Sequence, residues 1–347
     1  MKSWLDQRTE NVPEFELQPI SLRNLRKIIK KFKSSRTHGR DFIDSSSLKL
    51  AFPLIEDSIL HLVNLSIRNG TFAQNWKIQL ILPLHKKNDK LNGNNYRPVS
   101  HIIEIGKIAE YSVHEQVYNH FSSCGLFHSN HHGFLANSNT ATALTQLSYI
   151  WLSATENKEL SAALLLDLSA AFDIVDHVTF LQKLKLYGFS DNSVNWFSSY
   201  LSSRNQVVQV ETKFSQQVPL GDYGVPQGSI LGPLIFIIYS NDFPTCSKEG
   251  EAVLYADDNT QNVHDKDPGK LLEKIQREAT RATEWVQDNK MVCAGDKTKL
   301  LVIGTAQLKR SKLEGLPKLQ IDVCGNVVVE TESEKLLGLV VNNSLTW

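Results

Sequence analysis

Three carboxylates in this chain could share a piece of chemistry. Two are adjacent, in Tyr255-Ala256-Asp257-Asp258. The apolar residues 252–256 suit a buried strand and residues 259–263 can return as a second one, so the pair reads as a hairpin tip. The third, Asp167, comes near the end of the dense apolar run 160–168. A buried, unpaired carboxylate there costs several kcal/mol unless it is neutralised or binds a metal. If the three meet, they can hold two divalent cations roughly 3.5–4 Å apart, activating an attacking hydroxyl and stabilising a leaving phosphate oxygen. Magnesium suits such hard oxygen ligands alongside substrate phosphates. Plainer roles compete. Asp-Asp is good turn chemistry for an acidic surface loop. Asp167 could cap the turn that follows it, as could Asp173 or Asp176.

The elements that would have to position these groups can be read from periodicity. Residues 20–33 place Leu22, Leu25, Ile28, Ile29 and Phe32 at helical spacing. Asp44-Ser45-Ser46-Ser47 can cap a second helix over 48–69 that stops at Gly70. Residues 77–84 read as a strand, 86–95 as a polar loop and 102–121 as a helix. Residues 160–168 read as a central strand, with helices over 176–186 and 192–201 and a strand pair at 207–210 and 213–218. The Pro/Gly loop 224–232 precedes a helix at 233–241. Residues 270–290 form the clearest amphipathic helix, and strands follow at 299–303 and 336–341. Hairpin-linked strands favour an α+β sheet with helices on one face over a doubly wound one.

Bulk properties narrow the class. At 347 residues with 41% hydrophobic content, the chain is long enough for two or three domains and is ordinary for a globular protein. No apolar run approaches the roughly 18–20 residues a membrane span needs, and residues 1–6 carry no apolar signal core, so no membrane partner and an intracellular, reducing location are expected. Nucleus and cytoplasm are not distinguished. Cys124, Cys246, Cys293 and Cys324 include no C-x-x-C pair, which argues against a disulfide framework. Cys124, His128, His131 and His132 form a metal-like cluster, but no second ligand pair follows. Net charge is zero, from 37 basic and 37 acidic residues, yet residues 20–40 hold eight basic residues and no acid. That stretch is either a phosphate-binding face or a solvated helix face.

Six stretches recur in a recognisable order. They are Pro83-Leu84-His85-Lys86-Lys87 with Asn95-Tyr96-Arg97-Pro98-Val99-Ser100; Asp167-Leu168-Ser169-Ala170-Ala171-Phe172-Asp173; the ten residues from Gly224 to Pro233, with Asn241-Asp242 after them; the Asp257-Asp258 hairpin; Asp296-Lys297-Thr298-Lys299; and Lys335-Leu336-Leu337-Gly338-Leu339. In type and order they resemble the reverse transcriptase domain of non-LTR retrotransposons, the jockey-like LINE group, through most of the chain.

The resemblance implies an α+β right-hand polymerase with fingers and palm, an antiparallel palm sheet with helices on one face, and a thumb largely absent. Residues 1–75 would be a helical extension bearing the basic helix. Residues 76–347 would be the reverse transcriptase domain, with fingers at about 76–160 and palm at about 161–347, and with neither thumb nor endonuclease present. The implied activity is RNA-directed DNA polymerase, with RNA template, DNA primer and deoxynucleoside triphosphates as partners. The cofactor would be two Mg2+ ions, with Mn2+ as a substitute. Asp167, Asp257 and Asp258 would be the metal ligands, and Lys297 would stand near the leaving pyrophosphate as a general acid. Phe172 would lie under the sugar and reject a 2′-hydroxyl; an ordinary core aromatic is its plainer role. Gln227 and Gly228 would contact the incoming nucleotide from a loop whose small residues permit close approach, and Lys86, Lys87 and Arg97 would grip the triphosphate. One departure is Leu135, where the family has arginine after Gly133-Phe134; another is the end of the chain at Trp347. Two other classes are a non-catalytic remnant that binds nucleic acid through residues 20–40, and another two-metal palm enzyme such as a nucleotidyl cyclase or a DNA-templated polymerase. The Gly224–Pro233 stretch and Phe172 disfavour the last.

Overall fold

The computed structural model describes residues 12–345; the expectations for residues 1–6 and for Trp347 lie outside the described residues. In chain order the elements are α1 (Leu22–Lys31), α2 (Ser45–Arg68), β1 (Ile78–His85), β2 (Tyr96–His101), α3 (Glu104–Ser123), α4 (Thr140–Glu156), β3 (Leu160–Leu166), α5 (His177–Leu186) and α6 (Asp191–Leu201). They continue with β4 (Asn205–Val210), β5 (Lys213–Phe214), β6 (Val218–Pro219), α7 (Leu231–Tyr239), β7 (Glu251–Tyr255), β8 (Asp258–Asp265), α8 (Pro268–Asp288) and β9 (Lys299–Ile303). The last are α9 (Ala306–Leu313), β10 (Gln320–Val323), β11 (Asn326–Thr331), β12 (Ser333–Leu336) and β13 (Leu339–Asn342).

Local chemistry sets many of the boundaries. Ser21, Asp44, Asn139, Asp176, Ser190 and Asp267 each accept a backbone N–H from three residues on, opening their helices at about 1 kcal/mol apiece. The expected strand at 336–341 is instead the hairpin β12–β13, because Leu337 and Gly338 both adopt left-handed backbone and turn the chain. The expected strand at 213–218 is two short segments, β5 and β6, each paired with β4. Among the described residues, α2 is a helix long and apolar enough to cross a membrane by length and composition alone. Its apolar residues are interrupted by Glu56 and Asp57, so no single run reveals it. It packs on α1, α3 and α6, burying Leu48, Phe52, Ile59, Val63 and Ile67.

The chain divides into two compact units. One takes the N-terminal part to Leu126 together with Phe172–Phe236; the other takes Phe127–Ala171 and the chain from Ile237 on. The first carries the sheet β2-β1-β4-β5, with β6 also on β4. There β1 pairs antiparallel with β2 and parallel with β4.

The second unit holds the six-stranded sheet β10-β11-β9-β3-β8-β7. Two expectations for this sheet are corrected. It is mixed rather than antiparallel, because β11 runs parallel to β9. Both of its faces are covered. On one face Ala143, Leu147 and Trp151 of α4 pack with Ala163, Val253 and Leu301. The alternate residues Leu160, Ala162, Leu164 and Leu166, which a pleated strand turns the other way, are buried as well, and α8 packs against β3 and β8. A strand buried on both faces is a near-continuous apolar run, which explains why β3 is apolar at every position but Ser161.

Candidate functional site

In the second unit, register brings the carboxylates together. β3 and β8 are antiparallel with Leu166 opposite Asn259. Asp167 and Asp258, the next residues outward on each strand, therefore face each other across the ladder. The β7–β8 hairpin closes with Tyr255 opposite Asp258, leaving Ala256 and Asp257 as its loop. Ala256 is left-handed at φ 56°, an unfavourable conformation for a residue with a Cβ.

What holds that turn is a neighbouring segment. The N–H of Leu254 donates to the Asn130 carbonyl at 2.9 Å, and that of His132 donates to the Leu254 carbonyl at 2.7 Å. Residues 130–133 thus lie along the outer edge of β7. His132 is fixed by contacts from Nδ1 to Thr142 Oγ1 at 3.0 Å and from Nε2 to Gln146 Oε1 at 2.7 Å. Gly133 is so close to the turn that an added Cβ would lie 2.2 Å from the Ala256 nitrogen.

Asp167 is backed by the loop before β9. Ala294 N–H donates to the Asp167 carbonyl and Ser169 N–H to that of Val292, both at 2.9 Å. Leu168 and Cys293 form an antiparallel bridge. The turn that starts at Ala294 receives the N–H groups of Lys297 and Thr298, each at 3.0 Å. This directs Lys297 Nζ to 3.9 Å from Asp167 Oδ1, a long, exposed pair that contributes little to stability. Lys297 is therefore beside the carboxylates without being locked to them.

The three charges act on one another. Partial loss of water, then Asp257 and Asp167, push the Asp258 carboxyl up to about 6. Asp257 is raised by the same loss of water and by Asp167, while its own backbone N–H works the other way. Both side chains still reach solvent, so the shifts reflect a partly dried, uncompensated anionic patch rather than deep burial. Such a patch fits a hard divalent cation in its donor chemistry. Among the described residues, no three His, Cys, Asp or Glu side chains form a ready-made ion cage. The same finding removes the Cys124, His128, His131 and His132 metal reading. His131 is buried against Ser240, and burial holds its imidazole well below the usual range, to about 3.

In the first unit, the Gly224–Pro233 loop is built against the residues after Ala171. Val225 N–H donates to the Phe172 carbonyl at 2.9 Å, and Gly224 N–H to that of Val175 at 2.8 Å. Gln227 Nε2 donates to Asp173 Oδ1 at 2.7 Å, while the Gln227 carbonyl accepts Ser100 N–H at 2.9 Å. Gly228 has φ 101°, and a Cβ there would meet the Ser100 carbonyl oxygen at 3.0 Å. Phe172 is half-buried and stacks on Phe236 with ring centroids 4.6 Å apart, so it is not a wholly enclosed core aromatic. Arg97 lies exposed on β2 opposite Leu84, with Lys86 and Lys87 exposed just beyond β1.

Glu110 is a positioning residue of this loop that local sequence does not flag. It is fully buried on α3, and its Oε2 accepts Ile230 N–H at 2.7 Å and Leu231 N–H at 3.3 Å. It caps the first turn of α7 from 120 residues away. Burial raises its pKa, opposed by Arg204 and by the hydrogen bonds it accepts. In the second unit, the family pair Asn241-Asp242 has an architectural part: His128 N–H donates to Asn241 Oδ1 at 2.8 Å, and Trp285 Nε1 to Asp242 Oδ2 at 3.3 Å.

Residues 84–341 match the family described as reverse transcriptase (RNA-dependent DNA polymerase). The chain is 28% identical over 282 residues to a probable RNA-directed DNA polymerase from transposon X-element of Drosophila melanogaster, covering 79% of this chain and 30% of that protein. It is 24% identical over 339 residues to the RNA-directed DNA polymerase from mobile element jockey of the same species, covering 95% and 36%. The jockey polymerase of Drosophila funebris gives 26% over 341 residues, again covering 95% and 36%. The chain thus spans about a third of the length of these relatives. With the matched region, the relatives and the motif order all in agreement, the chain belongs to the reverse transcriptase family, on its jockey-like, non-LTR side.

Proposed function

We propose that this chain carries out RNA-templated DNA synthesis, joining deoxynucleoside triphosphates to a primer 3′-hydroxyl. The observation that carries the proposal is the register that sets Asp167 beside the Asp257-Asp258 turn, where partial loss of water, together with the charges of Asp257 and Asp167, raises Asp258 to about 6. Asp167, Asp257 and Asp258 hold two Mg2+ ions, for which Mn2+ can substitute. Those ions, when bound, supply charge neutralisation for the attacking and leaving oxygens. Lys297, beside Asp167 on a loop of its own, donates a proton to the departing pyrophosphate. Phe172 rejects a 2′-hydroxyl by bulk. Gln227 and Gly228 orient the nucleotide and template, and Arg97, Lys86 and Lys87 neutralise the triphosphate. Positioning and charge neutralisation supply most of the rate.

In this proposal, residues 76–160 serve as fingers, 161–347 as palm and 1–75 as a helical extension, and the protein works intracellularly on RNA template and DNA primer. The four free cysteines are in keeping with a reducing compartment. Primer extension on poly(rA)/oligo(dT) with Mg2+ tests it. The wild type should extend and Asp257→Ala should not; RNA binding without any extension would leave a nucleic-acid-binding remnant instead, and extension surviving in Asp257→Ala would overturn the metal assignment.

A further inference from the structure

One carboxylate in the first unit has no part in the reaction as proposed. Asp173 follows Phe172 and is exposed. It does not cap the helix that comes next. Asp176 does that, its Oδ1 accepting from the N–H and the hydroxyl of Thr179 at 2.8 and 2.7 Å. Among the described residues no cation pairs with Asp173. Its side chain is instead joined to Gln227, whose Nε2 donates to Asp173 Oδ1 at 2.7 Å.

The backbone around this bond is already fixed by other contacts. Val225 N–H donates to the Phe172 carbonyl at 2.9 Å, and Ser100 N–H donates to the Gln227 carbonyl at 2.9 Å. Gly224, at φ 80°, lies so close that an added Cβ would stand 2.6 Å from the Asp173 carbonyl oxygen. The place of Gln227 is therefore set by main chain, and what is left for Asp173 to set is the direction of the Gln227 side chain.

The chemistry of the two groups fixes that direction. A carboxylate oxygen accepts, so the glutamine must turn its nitrogen towards it. The amide is planar with its oxygen on the other side, so Oε1 is presented away from Asp173. The terminal torsion of glutamine is soft and roughly two-fold. Without a fixed acceptor, oxygen and nitrogen can exchange places.

We propose that Asp173 is a positioning residue: by holding the Gln227 amide nitrogen it presents the amide oxygen, as an acceptor, to the incoming nucleotide. This rests on the reading of Gln227 as a nucleotide contact. A contact made equally before and during the reaction appears in KM rather than in kcat. A hydrogen bond to a charged group is worth about tenfold or more in an equilibrium.

The test uses the full chain in two measurements. In single-turnover primer extension on poly(rA)/oligo(dT), Asp173→Ala should raise the KM for the deoxynucleoside triphosphate about tenfold and leave kcat within about twofold. Asp173→Asn keeps an accepting Oδ1 and should stay within about twofold of the wild type in both, and Asp173→Ala should add little to Gln227→Ala. The second measurement needs no activity. In NMR spectra the Gln227 side-chain amide, identified by its loss in Gln227→Ala, should exchange its protons with water about tenfold faster in Asp173→Ala than in the wild type or Asp173→Asn. Equal exchange in the three proteins overturns the tether. Faster exchange with an unchanged KM, or losses that simply add in the double variant, overturns the positioning role. A wild type that extends no primer fails the polymerase reading instead, and the exchange rates then decide the tether by themselves.

Discussion

Replacing Gly133 by alanine tests how the Asp257-Asp258 turn is held. The added methyl would stand 2.2 Å from the Ala256 nitrogen, with the Ala256 Cα at 2.8 Å. Ordinary contact needs roughly 3.5 Å, so the turn or the 130–133 segment must move by about 1 Å. The segment has little freedom to retreat, since His132 is tied to Thr142 and Gln146 and its N–H to Leu254. The turn therefore takes most of the movement. Overpacking of this kind costs about 1–3 kcal/mol, or roughly 2–4 °C of melting temperature per kcal/mol in a chain of a few hundred residues. A displacement of about 1 Å at reacting groups costs on the order of 100-fold in rate. Primer extension under single-turnover conditions, beside a thermal melt, reads both quantities. Gly93→Ala is the control, because a Cβ there meets nothing within 4 Å. If Gly133→Ala extends primers at the wild-type rate with an unaltered melt, the 130–133 segment does not shape the turn.

The Asp258 carboxyl titrates near 6 against an ordinary 3.8, so between those values the folded chain keeps a proton that the unfolded chain has released. With a chelator present, stability should therefore fall as pH rises through 6. Asp258→Asn should remove that dependence and raise the stability at pH 8, by less than about 1 kcal/mol because the group is exposed; identical pH profiles for the two proteins would refute the electrostatic picture. Phe172→Ala should improve ribonucleotide use by about 10–100-fold in relative kcat/KM, and unchanged sugar discrimination would return Phe172 to a packing role against Phe236. On α1, changing Lys27, Lys30 and Lys31 to Gln should lower the salt slope of single-stranded RNA binding by about 2. Arg26 is not included, since Glu56 holds both its Nε and its Nη2, whereas the Lys31 pair with Glu115 is exposed and long at 3.7 Å; an unchanged slope would make this face a solvated one.

The chemistry of the site is more legible in the sequence than its scaffolding. Asp167 announces itself because it follows a seven-residue run that is apolar at every position but Ser161, and Asp257-Asp258 because it lies between strand-forming runs. The facing of Asp167 and Asp258 is a matter of register, which appears only once Leu166 is paired with Asn259. Gly133 and Glu110 are hidden for another reason. Their partners are remote in the chain, and nothing around Glu110 on an ordinary helix says that it will cap α7. The basic stretch 20–40 looks free of acids only in one dimension; Glu56 and Glu115 come to it from α2 and α3. α4 escapes detection because it is rich in Thr and Ser, although Asn139 and Thr142 form a capping box at its start.

The central place of β3 has a consequence for how the chain is made. Both of its neighbours come later: β8 begins at Asp258 and β9 at Lys299. At roughly 5–20 residues per second on the ribosome, β3 waits roughly 5–20 s for its first partner. During that time seven residues, all but Ser161 apolar, stand bare along two edges, the form of segment that chaperones hold and that aggregates when they do not. The strand that places Asp167 is thus also the stretch on which the yield of folded protein depends.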